Sequence, residues 1–234
     1  MKKAASVLIW TLFILMAFRP AGILIASCFG YSFELISVPA YTVAIAVLSV
    51  CTFAFDIAAK DKEKPAALYI VTAILTPLSL VSWIINLFAC CKIVVAVSGL
   101  VSAIFCCCLT VRCRKNSGMK ITAAILYALL ILFFSCLSFF MLIFGNIGQN
   151  TVVRTLESPS GKYCAQVIDS DQGVFGGDTL VDVYEKRGIN LILFKIEKKP
   201  QRVYFGEWGE FENMKIRWKD DNCLVINSVE YEIE

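Results

Sequence analysis

Histidine is absent from the 234 residues. That excludes His-dependent nucleophilic triads, His-kinase phosphorelay, haem ligation by His and His-containing zinc sites. Charge is missing from long stretches as well. Between Lys3 and Glu34 the one charge is Arg19, and between Glu34 and Asp56 there is none. From Lys64 to Arg112 Lys92 stands alone, and from Lys120 to Arg154 there is again none. The sequence also lacks an internal repeat, an alternating barrel pattern and the clustered basic face expected of a nucleic-acid binder.

What fills the charge-free stretches is apolar, and the chain is 58% hydrophobic overall. A run of about 18 or more apolar residues reads as a membrane span, because about 20 residues at roughly 1.5 Å each cross a hydrocarbon core of roughly 30 Å. The 47 residues between Lys64 and Arg112 are too many for one helix and enough for two. The expected spans are residues 4–28, 36–55, 66–87, 93–111 and 121–144. Pro39, Pro65 and Asn116-Ser117-Gly118 punctuate the breaks. In lipid the backbone must satisfy its own hydrogen bonds, so these are helices. The fold class is therefore α+β: a multi-pass bundle of about five helices over residues 1–148, followed by a small antiparallel β domain over residues 149–234.

The charge is unevenly shared. Residues 1–148 hold 11 Lys and Arg against 4 Asp and Glu, whereas residues 149–234 hold 11 against 15. Lys2, Lys3, Lys60, Lys62, Lys64, Arg112, Arg114, Lys115 and Lys120 fall before the first span or in the loops on one side. The opposite loops carry Lys92 alone. Short loops rich in Lys and Arg stay cytoplasmic. The expected topology is an amino terminus inside and a carboxyl-terminal domain outside the cell membrane. Ile25-Ala26-Ser27-Cys28 has the form of a lipoprotein cleavage box, but Arg19 and Pro20 interrupt the apolar run just upstream, so a retained helix is the better reading.

Arg19 is the one basic residue deep within a span. It is a candidate intramembrane polar contact, with two blander alternatives: snorkelling outward beside Pro20, or pairing with Glu34. Asp56 is expected at the cytoplasmic interface beside Lys60, and Trp83 and Asn86 at the outer interface. Cys106, Cys107 and Cys108 are consecutive, so they point about 100° apart on a helix and do not share a tetrahedral site. Cys51 and Cys136 read as small packing residues.

Beyond Phe144 the pattern changes to period two. Met214, Ile216 and Trp218 alternate with Lys215 and Arg217, and Val229, Tyr231 and Ile233 with Glu230, Glu232 and Glu234. Both read as half-buried strands. Further strands fit residues 152–156, 163–168, 179–185, 191–197, 202–205 and 223–227, and Lys219-Asp220-Asp221-Asn222 supplies a hairpin turn.

Ser158-Pro159-Ser160-Gly161-Lys162-Tyr163, followed by a strand and then by Lys215–Asn227, resembles a family of uncharacterised domains in small membrane-anchored bacterial proteins, mainly Gram-positive ones. The resemblance covers about 75 of the 234 residues. Members usually carry Asp where Ser160 stands, a change that a turn tolerates. The resemblance implies a fold and a placement in the envelope, and brings no activity and no catalytic residues. The same signature resembles one blade of a TolB-type β-propeller, but a propeller needs about four to eight blades and one copy is present.

Asp169-Ser170-Asp171-Gln172-Gly173 begins like a calcium loop and fails that pattern at Gly173 and Leu180. Phe175-Gly176-Gly177-Asp178 lacks the strand-to-helix context of a phosphate loop. Tyr204, Phe205, Trp208 and Phe211 form either a binding strip or the edge of a small core. Cys164 and Cys223, the only cysteines of the tail, are a candidate disulfide; alternatively both are small core residues. No nucleophile–base pair can be assigned, so an enzyme is not expected, and neither is a cofactor. The expected function is display of an extracytoplasmic β domain for partner binding, sensing or scaffolding. Its partners are the lipid bilayer and another envelope or membrane protein, not nucleic acid. The alternative is a small-solute transporter or channel subunit using Arg19.

Overall fold

The computed structural model describes residues 2–59, 65–114, 116–145, 149–173, 176–186 and 188–233. Lys60, Lys62, Lys64 and Lys115 of the basic loops lie outside the described residues, as do Phe175 and the Arg187 turn position. Five helices are each long and apolar enough to cross a membrane: α1 (Lys2–Cys28), α2 (Val38–Ala58), α3 (Ala66–Ala89), α4 (Ile93–Cys113) and α5 (Ser117–Phe144). The shortest have 21 residues, or about 31 Å of helix. α2 starts two residues later than expected. The Ser37 hydroxyl caps it by accepting from the Ala40 N–H, and Pro39 occupies the first turn, where its missing donor is harmless. Asn116 caps α5 through the Gly118 N–H at 2.8 Å.

The chain divides into two compact units. The first comprises residues 1–24 and 37–145. Its core takes Ile9, Leu12 and Met16 from α1, three or four residues apart on one stripe. These meet Ile45 of α2, Leu68, Val71 and Leu75 of α3, and Cys106 and Leu109 of α4. α4 presents small residues to its neighbours, among them Ser98, Gly99, Ser102 and Ala103, which lets helix backbones approach closely. α5 packs Leu130, Ile131 and Phe134 onto Leu80, Trp83 and Ala103, and leaves most of its apolar surface exposed. Cys106 and Cys113 are the buried packing thiols, whereas Cys51 and Cys136, expected in that role, lie on the outer surface of the helices.

The second unit contains the tail and also residues 25–36. β2 (Gln149–Glu157), β3 (Tyr163–Asp171), β4 (Gly177–Glu185) and β7 (Gln201–Glu207) form an antiparallel sheet in the order β2-β3-β4-β7. β8 (Ile216–Asp220), β9 (Cys223–Ile226) and β10 (Val229–Glu232) form a meander in the order β10-β9-β8. Tyr163, Ala165, Val167, Val181 and Val183 of the first sheet share one core with Met214, Leu224, Ile226 and Ile233 of the meander.

The third sheet departs from the sequence reading. β1 (Tyr31–Leu35), lying between α1 and α2, pairs with β6 (Phe194–Lys198), which pairs with β5 (Gly188–Asn190). The single strand expected over residues 191–197 is thus a hairpin. The Leu191 N–H to Phe194 carbonyl bond, 2.9 Å long, closes a turn made of apolar residues where polar ones are usual. Side chains alternate across the sheet. Phe33 stacks on Phe194 at 4.9 Å on one face, while Glu34 and Glu197 flank Lys195, each at 3.1 Å, on the other.

Candidate functional site

Arg19 points into the helical unit and is 5% exposed. Glu34, weighed above as a partner for Arg19, pairs with Lys195 at 3.1 Å. The Arg19 Nη1 donates to the Asn86 side-chain oxygen and, at 3.5 Å, towards the Ile85 carbonyl. The Asn86 amide nitrogen in turn donates to the Ser82 carbonyl at 2.7 Å and to its hydroxyl at 3.1 Å. Both ends of the Asn86 amide are therefore used, one for the cation and one for its own helix.

Asn86 and Trp83, expected at the interface, are 1% and 3% exposed and face inward. Trp83 lies so close to Gly99 that a β-carbon there would come within 2.1 Å of the indole ring. Glycine at 99 is what lets α4 approach α3. A cavity of about 10 Å³, room for one water, lies beside Trp83, Asn86, Ser79 and Ser82 of α3, Thr42 of α2 and Ser102 of α4. The Trp83 Nε1 is buried and has no hydrogen-bond partner among the described residues, so a water there would meet an open donor.

Other polar contacts tie the helices pairwise. The Tyr41 hydroxyl of α2 donates to the Leu15 carbonyl of α1. Thr110 of α4 donates to the Thr72 carbonyl of α3 at 2.5 Å and lies 2.9 Å from the Thr76 hydroxyl. Asp56 of α2 accepts from Arg112 of α4 at 3.1 Å; Lys60, expected beside Asp56, lies outside the described residues. Ser49, Thr52, Ser98 and Ser102 each donate to a carbonyl four residues back on their own helix. Each of these hydroxyls commits its proton to a carbonyl of its own helix.

In the β unit the turn at Ser158–Tyr163 meets the β8–β9 turn. The Ser158 hydroxyl accepts from the Tyr163 N–H at 3.1 Å, Gly161 turns with φ +73°, and the Ser160 N–H donates to Asp221 at 2.8 Å. That hydrogen bond to its charged form holds the Asp221 carboxyl below its ordinary value. Trp218 reaches the same corner, donating from Nε1 to the Leu156 carbonyl at 3.2 Å.

The aromatic strip divides. Tyr204 and Phe211 pack against the core, and the Tyr204 hydroxyl donates to Glu210 at 2.7 Å, a bond to the neutral phenol that pushes its pKa up to about 12. Phe205 and Trp208 are 66% and 57% exposed. Trp208 lies over Gly177, where a β-carbon would fall 2.6 Å from the indole, so glycine there makes room for the ring.

Asp171 and Gln172 of the candidate calcium loop are engaged locally, with the Gly173 N–H and with Asp178. Among the described residues no group of three or more acidic or Cys side chains could hold a metal. Cys164 and Cys223 are both free. Each is 9% exposed, as the reading of both as small core residues expects, and by strand alternation neither shares the face of Tyr163 and Ala165 on β3 or of Leu224 on β9. Burial raises the pKa of both thiols.

The feature least visible in the sequence reading was β1. Its signal was present: Tyr31-Ser32-Phe33-Glu34-Leu35 alternates without exception. No family model, curated protein or solved structure matches the chain.

Proposed function

We propose that this chain is a multi-pass membrane protein of the bacterial envelope, without enzymatic activity, that presents a β domain outside the membrane to bind, sense or scaffold a partner. The carrying observation is the shared strand. β1 comes from between α1 and α2 and completes a sheet with β6 of the tail, so the domain is joined to the helices through three chain connections instead of one tether. Four helices separate β1 from the tail, an even number of crossings, so both belong on the same side. The bias of Lys and Arg supports the outer side.

The contact surface best suited to a partner is Phe205 and Trp208, since exposed aromatics are enriched where proteins bind. A photocrosslinking amino acid in place of Trp208, in the full-length protein in native membranes, should form one discrete adduct with another envelope protein. That adduct should disappear when Phe205 is changed to Ser. Crosslinking only to lipid, or an adduct indifferent to Phe205, would overturn the assignment of this surface.

The transport reading has one observation in its favour, a small cavity lined in part by Asn86, the residue that accepts a hydrogen bond from Arg19. Its size, about one water, supports a structural role instead. Solute uptake by reconstituted vesicles that is lost in Arg19→Leu and kept in Arg19→Lys would reverse that preference.

A further inference from the structure

The β5–β6 hairpin ends in Leu191, Ile192 and Leu193, which are 50%, 93% and 68% exposed, with Ile189 at 59% beside them. From Ile189 to Phe194 there is no charge. A fully exposed isoleucine at a turn, flanked by two leucines, is a poor choice for contact with water, and contiguous apolar surface of this kind marks an interaction site.

The place of this tip in the chain identifies what it meets. The Ile36 N–H donates to the Leu193 carbonyl at 3.1 Å, and Ile36, itself 60% exposed, stands two residues before α2. At the other end of β1, the Lys199 N–H donates to the Gly30 carbonyl at 3.0 Å, two residues after α1 ends. Two residues link Cys28 to Tyr31 and two link Leu35 to Val38, so across three Cα steps each end of β1 stays within about 11 Å of the end of a span. Phe29, in the first of those links, is 74% exposed.

We infer that the Leu191-Ile192-Leu193 tip is a membrane anchor that dips into the interfacial region of the bilayer crossed by α1 and α2. The occupant of this apolar surface is lipid, in the manner of an amphipathic element lying in the interface plane. The third sheet then serves two purposes, closing the β unit with β1 and pinning it at the membrane face through the hairpin. The inference rests on α1 and α2 being membrane spans.

The test uses the full-length protein in vesicles of phosphatidylcholine and phosphatidylglycerol, with an environment-sensitive fluorescent amino acid placed by codon suppression at Ile192. A second protein carries the same probe at Leu132, on the exposed face of α5. The expected result is blue-shifted emission at 192 that is lost when the lipid chains are brominated near the glycerol end, and emission at 132 that is lost with bromines deeper in the chain. Water-like emission at 192, quenched by aqueous iodide, with 132 still quenched by lipid, would overturn the anchor and leave the spans intact. Blue-shifted emission at 192 that ignores brominated lipid would place protein on the tip and also overturn it. If 132 ignores brominated lipid, the span reading itself fails and the anchor fails with it.

Discussion

Arg19 and Asn86 show how a charge is kept inside an apolar bundle. The guanidinium donates to an amide oxygen whose own nitrogen is already engaged with Ser82, so the acceptor is held in place before the cation reaches it. A hydrogen bond to a charged group contributes about 1.5–3 kcal/mol, and Asn86→Leu should lower stability by about that amount. Arg19→Leu on its own leaves an amide acceptor open. The double variant should lose less than the sum of the two, measured as unfolding midpoints in lipid nanodiscs; strict additivity would mean that the two side chains do not interact. Asp221 offers a second test at this scale. Its carboxyl is held below its ordinary value by the Ser160 N–H, so the folded-state pKa is lower than the unfolded one. Such a group contributes stability above its unfolded pKa, and the contribution is lost as pH falls through the folded value. The gap in unfolding midpoint between wild type and Asp221→Asn should hold steady from neutral pH to about 5 and close below about 4. A gap that widens in acid would contradict the assignment.

Among the elements, β1 has the least company of its own: five residues between two long helices, paired on one side with β6. Phe33 is its anchor, buried and stacked on Phe194. Phe33→Ala removes that packing at a cost of about 3–5 kcal/mol if the site does not collapse. Hydrogen exchange should then quicken at the amides of β6 while those of β3, bonded on both sides within another sheet, stay protected. Equal acceleration in both would mean that the unit unfolds as one. The helices and most strands were legible because long apolar runs and strict alternation leave one answer each. β1 was not, because a seven-residue stretch between two spans reads as a loop, and its partner lies far along the chain. The inward turn of Asn86 and Trp83 was hidden for a related reason. Amphipathic residues near a helix end suit an interface equally well, and only the approach of α4 at Gly99 encloses Trp83. The core of the β unit was half legible: alternation identified one buried face per strand, but not that β3 and β9 are buried on both faces, which is where Cys164 and Cys223 lie.

For the whole molecule, the shared sheet makes a demand on topology. Single cysteines introduced at Phe29 and Ser228 in a cysteine-free background should both react with a membrane-impermeant thiol reagent on intact cells. One at Ser117, in the turn before α5, should be protected until the membrane is opened. Labelling of Phe29 and Ser228 on different sides would break the sheet as well as the topology. The same pairing also sets an order of synthesis. Ser32 and the Glu197 carbonyl it bonds are 165 residues apart. At about 5–20 residues per second, β1 leaves the ribosome on the order of ten seconds or more before its partner exists. During that interval four more helices must be placed while an open strand edge waits between the first two. The third sheet therefore cannot close until all five helices and the first three strands of the tail have been made. A chain interrupted between the end of α5 and residue 194 has all five helices and carries β1 as an unpaired edge, a ready template for pairing with a neighbouring chain.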